Sequence, residues 1–86
     1  MKADEKQITR LLKTARGQLD GILKMVEEDR YCVDISNQIL ATEAILKKAN
    51  KELLRAHMKC CAKEALQTAQ EDKKIDELID IIDKLK

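Results

Sequence analysis

Three side chains with soft donor atoms, Cys32, His57 and Cys61, are the residues of this sequence whose types and spacing best support chemistry. His57 is the single histidine, and Cys61 follows it by four positions. Side chains four positions apart lie one above the other on a helix face, so His57 and Cys61 are expected to bind one ion together. Two thiolates and one imidazole form a three-coordinate set suited to Cu(I), whereas structural zinc normally takes a fourth ligand, which the sequence does not locate.

Cys32 stands in a different relation to this pair, because it lies twenty-five residues before His57. If one unbroken helix carries both residues, they are roughly 37 Å apart along its axis at about 1.5 Å per residue. Cys32 then joins the site only from an antiparallel copy of the same helix. The three-residue site therefore predicts a dimer.

A structural role for the cysteines is the main alternative, because unpaired cysteine is among the most buried residue types and packs as a small hydrophobic side chain. Cys60 fits that role best, since it points about 100° around the helix from Cys61 and continues the apolar pattern. We interpret Cys60 first as a packing residue and second as a spare reactive thiol. A lone histidine on an apolar face is harder to explain by packing, since each ring nitrogen needs a partner.

The composition indicates an all-α protein. The 86 residues include no proline, two glycines and one aromatic residue, which favours long helices in a single domain, residues 1–86. A core of this size supplies only about 3 to 5 kcal/mol, so self-association is expected. We find no nucleophile, base and oxyanion-donor arrangement and no glycine-rich phosphate loop, so we do not predict an enzyme. Without a signal-peptide or membrane-spanning apolar run, a cytoplasmic protein with reduced cysteines is expected.

Apolar periodicity predicts three helices, over residues 5–28, 33–69 and 73–85. Charged residues 27–30 interrupt the pattern of the first helix and predict a turn, and Asp72 is the expected N-cap of the last helix. The first two helices carry apolar seams with alternating steps of three and four residues. Their members are Ile8, Leu12, Ala15, Leu19, Ile22 and Val26 in the first helix, and Cys32, Ile35, Ile39, Thr42, Leu46, Ala49, Leu53, Ala56 and Cys60 in the second.

Basic side chains mark the polar faces of the first two helices. Arg10, Lys13 and Arg16 lie on the first helix, and Lys47 and Lys48 lie on the second. Such residues neutralise phosphates and give salt-dependent binding to nucleic acid, although they also solvate helix surfaces in many proteins. No helix-turn-helix, zinc-finger or RNA-recognition signature accompanies them. A bundle that stores metal or binds another protein, and never binds DNA, is therefore a separate hypothesis.

Several segments together resemble the copper-sensitive operon repressor family of bacteria, the CsoR/RcnR type, over nearly the whole chain. They are residues 16–22 (RGQLDGI), 31–34 (YCVD), 38–39 (QI), 52–54 (ELL) and the His-x-x-x-Cys motif at 57–61. Members of this family are all-α proteins that form antiparallel four-helix dimers, pair into tetramers and bind operator DNA in the ligand-free state. The resemblance implies the same for this chain.

The resemblance also implies a ligand. Copper sensors of the family bind Cu(I) with a cysteine at the start of the second helix and with a His and a Cys from the other subunit, which correspond here to Cys32, His57 and Cys61. Nickel and cobalt sensors need additional histidines, formaldehyde sensors lack the second cysteine, and persulfide sensors usually lack the histidine. We therefore expect a Cu(I)-sensing repressor. The alternative is a sulfane-sulfur sensor that links Cys32 to Cys61 through a di- or polysulfide, with Cys60 nearby.

Tyr31 and Glu77 match the residues that in this family support the ligands from outside the coordination sphere. Glu77 is expected to reach His57 from the last helix, to hold the ligating tautomer and to connect that helix to metal occupancy. The DNA-binding positions depart from the family pattern, since Leu11 stands where an arginine is usual and Lys48 replaces another arginine. Operator contacts are therefore expected from a set that includes neighbouring basic residues: Arg10, Lys13, Arg16, Lys47 and Lys48.

Overall fold

The computed structural model of the chain describes residues 1–67 and 71–85, with side chains described for residues 1–63 and 76–84. Three α-helices make up this part of the chain: α1 (Glu5–Glu27), α2 (Cys32–Gln67) and α3 (Glu71–Leu85). It contains no β-strand, and the predicted all-α class is confirmed. No helix within the described ranges is long and apolar enough to cross a membrane.

The turn between α1 and α2 lies where the charged residues predicted it, and it closes without glycine or proline. Asp29 takes the left-handed conformation, with φ of 53°. The Arg30 N–H donates to the Met25 carbonyl at 3.0 Å, and the Asp29 N–H donates to the Val26 carbonyl at 3.1 Å. These two bonds form a Schellman motif, in which a residue such as Asp can replace the usual glycine because its short polar side chain tolerates left-handed backbone.

The bounds of α1 and α2 agree with the prediction to within one residue where the chain is described. The first helical bond of α2 runs from the Ile35 N–H to the Tyr31 carbonyl at 3.2 Å, so Tyr31 is the N-cap. The predicted end of this helix at residue 69 lies outside the described residues.

The predicted start of α3 is wrong. This helix begins at Glu71 rather than at residue 73, and Asp72 is helical rather than the N-cap. Acidic residues are favoured both at the N-cap and in the first helical turn, where they face the positive end of the helix dipole. The sequence pattern did not separate these two positions.

The chain divides into two compact units, Glu5–Asn50 and Met1–Asp4 together with Lys51–Lys86. In the first unit, α1 packs on the beginning of α2. The Thr42 side chain is 3% exposed, and its hydroxyl lies 2.9 Å from Gln18 Oε1 and 3.1 Å from the Gln38 carbonyl. The bond between Thr42 and Gln18 joins α2 to α1 inside the core. The buried apolar side chains of this unit are Ile8, Leu11, Ala15, Ile22 and Ala49.

Only part of the predicted apolar seam is buried in this unit. Leu11 is buried in place of Leu12, while Leu12, Leu19 and Val26 stay about half exposed. The apolar stripe of α1 is wider than one neighbouring helix can cover, because a second row of apolar residues runs beside the first. The exposed part of this stripe is therefore not covered within a single chain.

The second unit contains the end of α2 together with α3. Cys61 of α2 and Ile81 of α3 are its buried apolar residues among those with described side chains, and Leu53, Leu54 and Ala56 are half buried. The expectation of a single domain over residues 1–86 stays a prediction.

Candidate metal centre

Three side chains of the second unit place potential metal-binding atoms close together. His57 and Cys61 lie on α2, Glu77 lies on α3, and one donor atom from each falls within 4.8 Å of the other two. The Cys61 Sγ lies 3.3 Å from the His57 Nε2, and the Glu77 Oε1 lies 2.6 Å from the same nitrogen. The structure thus offers a nitrogen, a sulfur and an oxygen donor at one point.

Helix geometry and packing explain this arrangement. His57 and Cys61 share one face of α2 because they are four residues apart, and α3 carries Glu77 against that face. Cys61 is 3% exposed, whereas the His57 and Glu77 side chains are 41% and 39% exposed. The thiol is therefore held inside while the other two groups border solvent. A cleft of about 570 Å³ opens here, lined by Met1, Lys2, Leu53, Leu54, His57, Glu77, Asp80, Ile81 and Lys84.

The short contact between His57 and Glu77 indicates which atom carries the proton. With Glu77 ionised, its carboxylate accepts hydrogen bonds and donates none, and the 2.6 Å contact is then a hydrogen bond donated by the His57 Nε2–H. The Cys61 sulfur then lies beside the same N–H group as a second, weaker acceptor. The expected contact between Glu77 and His57 is thus present, while its role in orienting a metal ligand stays a prediction.

Cys32 and Tyr31, the other two residues of the predicted centre, lie at the start of α2. Cys32 is exposed, and Tyr31 is 68% exposed. The described donor cluster includes neither residue. Because α2 is continuous from Cys32 to Gln67, the premise of the helix-length estimate is met. Ligation by Cys32 from a second copy stays a prediction.

The structure corrects our interpretation of the neighbouring cysteines. We placed Cys60 on the core seam and Cys61 beside it, but Cys61 is the buried residue and Cys60 is half buried. The reason is that α3 covers the face of α2 that carries His57 and Cys61. No disulfide joins the three cysteines, all of which fall in the described part of the chain.

The five basic residues predicted to bind DNA are all exposed on the first unit: Arg10, Lys13, Arg16, Lys47 and Lys48. Arg10 and Lys13 border an open groove of about 710 Å³ along α1, and Lys47 borders another of about 490 Å³ on α2. Thr9 and Lys6 line the α1 groove beside them, and our sequence reasoning missed both. Lys6 and Thr9 each stand four residues before a basic side chain, Arg10 and Lys13, and this spacing was the available signal.

The all-α fold and the donor cluster on α2 and α3 define a helical protein with a candidate metal site. A family model described as metal-sensitive transcriptional repressor matches residues 4–84. The chain belongs to this family.

Named relatives include copper sensors. The chain is 45% identical over 71 residues to the copper-sensing transcriptional repressor CsoR of Mycobacterium ulcerans, a match that covers 83% of this chain and 61% of the relative. It is 42% identical over 81 residues to CsoR of Bacillus subtilis, covering 94% of this chain and 80% of that one. The chain therefore spans less than two thirds of the mycobacterial relative's length.

Two solved structures share the fold. The copper-sensing repressor CsoR with Cu(I) from Geobacillus thermodenitrificans superposes with a TM-score of 0.80 at 37% identity, covering 92% of this chain and 82% of that one. The nickel-responsive transcriptional regulator InrS superposes with a TM-score of 0.87 at 22% identity, covering 100% of this chain and 97% of that one. The second likeness concerns the fold alone.

Proposed function

We propose that this protein is a Cu(I)-responsive transcriptional repressor, which binds operator DNA without metal and releases it when Cu(I) binds. The observation that carries the proposal is the pairing of a buried thiol with the single imidazole, Cys61 Sγ and His57 Nε2, at 3.3 Å. Copper-sensing relatives at 42% and 45% identity support the choice of ion. A DNA-binding repressor has no catalytic role, and its place of action is the cytoplasm.

The donor types fit Cu(I). Thiolate and imidazole are soft and borderline ligands that select Cu(I) over hard cations. His57 and Cys61 hold the ion from one chain, and Cys32 of a second, antiparallel copy supplies the third donor. Cys32 suits this role because it is exposed at the start of α2. Bound Cu(I) supplies a link between two chains at each such site.

A second copy also accounts for the apolar surface of the first unit. The exposed large apolar side chains there are Leu12, Leu19, Leu23, Val26, Val33, Ile39, Leu40 and Leu46. A surface of this kind on a small protein marks an interaction site. We infer an antiparallel four-helix dimer formed by α1 and α2 of two chains, and two such dimers in the functional tetramer.

Operator binding is assigned to the basic residues of the first unit. Arg10, Lys13 and Arg16 on α1, with Lys47 and Lys48 on α2, are exposed and available to phosphates. Release requires that metal-bound and metal-free forms differ in DNA affinity, and an allosteric coupling of about 1 to 3 kcal/mol lowers affinity roughly 5- to 150-fold. Glu77 connects the site to α3 through its bond to His57, so a rearrangement there changes how α3 is held.

The test is a Cu(I) titration under reducing conditions, performed on wild type, His57→Ala and the matched control Lys59→Ala. Lys59 is exposed on the same helix. Cu(I) affinity is measured by competition with a Cu(I)-selective chelator, X-ray absorption reports the coordination number, and fluorescence anisotropy reports operator binding. In wild type and Lys59→Ala we expect three-coordinate Cu(I) and weaker operator binding when Cu(I) is added. In His57→Ala we expect neither three-coordinate Cu(I) nor a change in operator binding.

Three results contradict the proposal. Operator affinity that is unchanged at saturating Cu(I) removes copper as the effector. A response to sulfane sulfur that survives in His57→Ala, with a Cys32-to-Cys61 polysulfide link found by mass spectrometry, replaces the proposal with the sulfur-sensing alternative. DNA binding that shows no salt dependence favours the bundle that does not regulate transcription.

A further inference from the structure

Glu77 gives the metal centre a hard donor that Cu(I) does not need. Its carboxylate oxygen lies in one cluster with the His57 nitrogen and the Cys61 sulfur, with all three atoms within 4.8 Å of one another. Cu(I) prefers thiolate and imidazole, whereas zinc binds nitrogen, sulfur and carboxylate oxygen together. The cluster in one chain therefore has the donor composition of a zinc ligand set.

We propose that Glu77 is a direct ligand for a borderline divalent ion, Zn²⁺ or Co²⁺, at a site shared with His57 and Cys61. This inference rests on the proposed function in one respect, since it takes Cys32 of the second copy as a further donor. Two cysteines, one histidine and one glutamate then make four ligands, the number that tetrahedral zinc requires. Glu77 is thus the fourth ligand that the sequence alone did not locate.

The distances allow this coordination with a small adjustment. Zinc bond lengths of about 2.0 to 2.1 Å to nitrogen or oxygen and about 2.3 Å to sulfur place neighbouring ligand atoms roughly 3.3 to 3.6 Å apart. The separation of 3.3 Å between Cys61 Sγ and His57 Nε2 is within about 0.3 Å of the roughly 3.6 Å expected for a sulfur–nitrogen pair. The 2.6 Å between His57 Nε2 and Glu77 Oε1 must widen by about 0.7 Å, which a half-exposed glutamate side chain on a helix accommodates by changing rotamer.

The proton balance of binding follows from the same contact. In the metal-free state one proton lies between the His57 Nε2 and the Glu77 Oε1, which are 2.6 Å apart. When a divalent ion takes the place of that proton between nitrogen and oxygen, the proton passes to solvent, and thiol protons of the ligating cysteines follow it. The Glu77 oxygen exchanges a hydrogen bond for a metal bond, so α3 becomes attached directly to the ion.

Zn²⁺ is expected to bind the Glu77 carboxylate directly and Cu(I) is not, so the affinities of the two ions should respond differently to substitution of Glu77. We would measure Zn²⁺ affinity by competition with a chromophoric chelator, and Cu(I) affinity by a Cu(I)-selective chelator, for wild type, Glu77→Gln and Asp80→Asn. Asp80 is the matched control because it is an exposed carboxylate in the same cleft, three residues further along α3. Circular dichroism verifies the helical fold, and Glu77→Asp serves as a second variant that keeps the charge and shortens the reach.

We expect Glu77→Gln to weaken Zn²⁺ binding by about 100-fold or more, because the substitution removes a ligand, and Cu(I) binding by less than about tenfold, because Cu(I) is held by thiolate and imidazole and does not take the carboxylate as a ligand. Asp80→Asn should change both affinities by no more than about threefold, in keeping with the small effect of exposed charges. Co²⁺ substitution should give tetrahedral d–d bands that weaken or shift in Glu77→Gln while the thiolate-to-cobalt charge-transfer band remains.

If Glu77→Gln lowers the affinities for Zn²⁺ and Cu(I) by the same factor, the inference is overturned, because Glu77 then acts only through His57. Wild type that binds Cu(I) but not Zn²⁺ would overturn it as well and leave the copper proposal intact. A third outcome separates the two proposals. If Zn²⁺ binding depends on Glu77 but Cu(I) does not change operator affinity, the result supports the inference and contradicts the proposed function. The two failures are therefore distinguishable.

Discussion

The hydrogen bond between His57 and Glu77 joins α2 to α3, and its strength can be measured by a double-mutant cycle. We would compare wild type with His57→Ala, Glu77→Ala and the double variant in metal-free, reducing buffer near pH 7. Urea unfolding is followed by circular dichroism at one fixed subunit concentration, since association also contributes to apparent stability. The coupling energy isolates the pair from other effects of each substitution.

The magnitude follows from distance and exposure. At 2.6 Å, Coulomb's law gives roughly 1.6 kcal/mol for two full charges in water-like surroundings. Side chains that are 41% and 39% exposed lose part of this to screening and to the entropy of holding both groups in place. An uncharged imidazole that donates the same bond contributes about 0.5 to 1.5 kcal/mol. We expect a coupling energy of about 1 kcal/mol, equivalent to roughly 4 to 8 °C in Tm for a domain of this size.

A surface pair in the first unit provides the matched control. Lys24 lies in the last turn of α1 and Glu28 directly follows the helix. Their charged atoms are 4.0 Å apart, and their side chains are 74% and 47% exposed. Such a pair contributes about 0.3 to 0.5 kcal/mol. A His57–Glu77 coupling no larger than that of Lys24–Glu28 would refute the conclusion that this contact holds α3 on α2.

Four further outcomes are expected. Thr42→Val should lower the free energy of unfolding by about 1 to 2 kcal/mol, because Gln18 loses its buried partner, whereas Thr42→Ser should keep most of the wild-type stability. Urea unfolding in which the two variants lose the same free energy contradicts this. Asp29→Gly should raise the same free energy by roughly 0.5 to 1 kcal/mol, since glycine adopts positive φ without strain; an unchanged midpoint counts against it. Leu19→Glu should shift the protein toward monomer in light scattering, and an unchanged mass excludes this residue from the interface. Lys48→Gln should reduce the slope of log affinity against log salt for operator DNA by about 1; a constant slope removes Lys48 from the contacts.

The parts of the site that depend on local geometry were predictable from the sequence. His57 and Cys61 meet because of their spacing on one helix, and no tertiary information is needed for that. The turn at residues 27–30 was also predictable from its charges, although its closure by Asp29 was not, since aspartate occupies many turn positions. Glu77 differs, because twenty residues and a helix connection separate it from His57. Only packing, or resemblance to known proteins, brings that carboxylate to the site.

The prediction of the core was least complete where the apolar pattern was widest. In α1, Leu11 and Leu12 both fit the pattern, and the structure buries the first while leaving the second about half exposed. Periodicity identifies an apolar face but does not say which part of it faces the same chain and which part faces a partner. The exposed residues of that face are those that we assign to the dimer.

The expected coupling energy between His57 and Glu77 is in the range that suits a sensor. A tie of about 1 kcal/mol between His57 and Glu77 is comparable to the 1 to 3 kcal/mol that typically couples two sites. A fully buried ion pair, by contrast, costs about 3 to 5 kcal/mol to break, which exceeds the typical coupling energy and would oppose the release of α3. Partial exposure of both side chains keeps the tie weak enough for an ion at His57 and Cys61 to rearrange it. In our proposal Glu77 is consequently the residue through which the identity of the bound ion reaches α3: an ion on His57 Nε2 displaces the proton of their hydrogen bond, and only Zn²⁺ replaces that bond with a metal bond to the carboxylate.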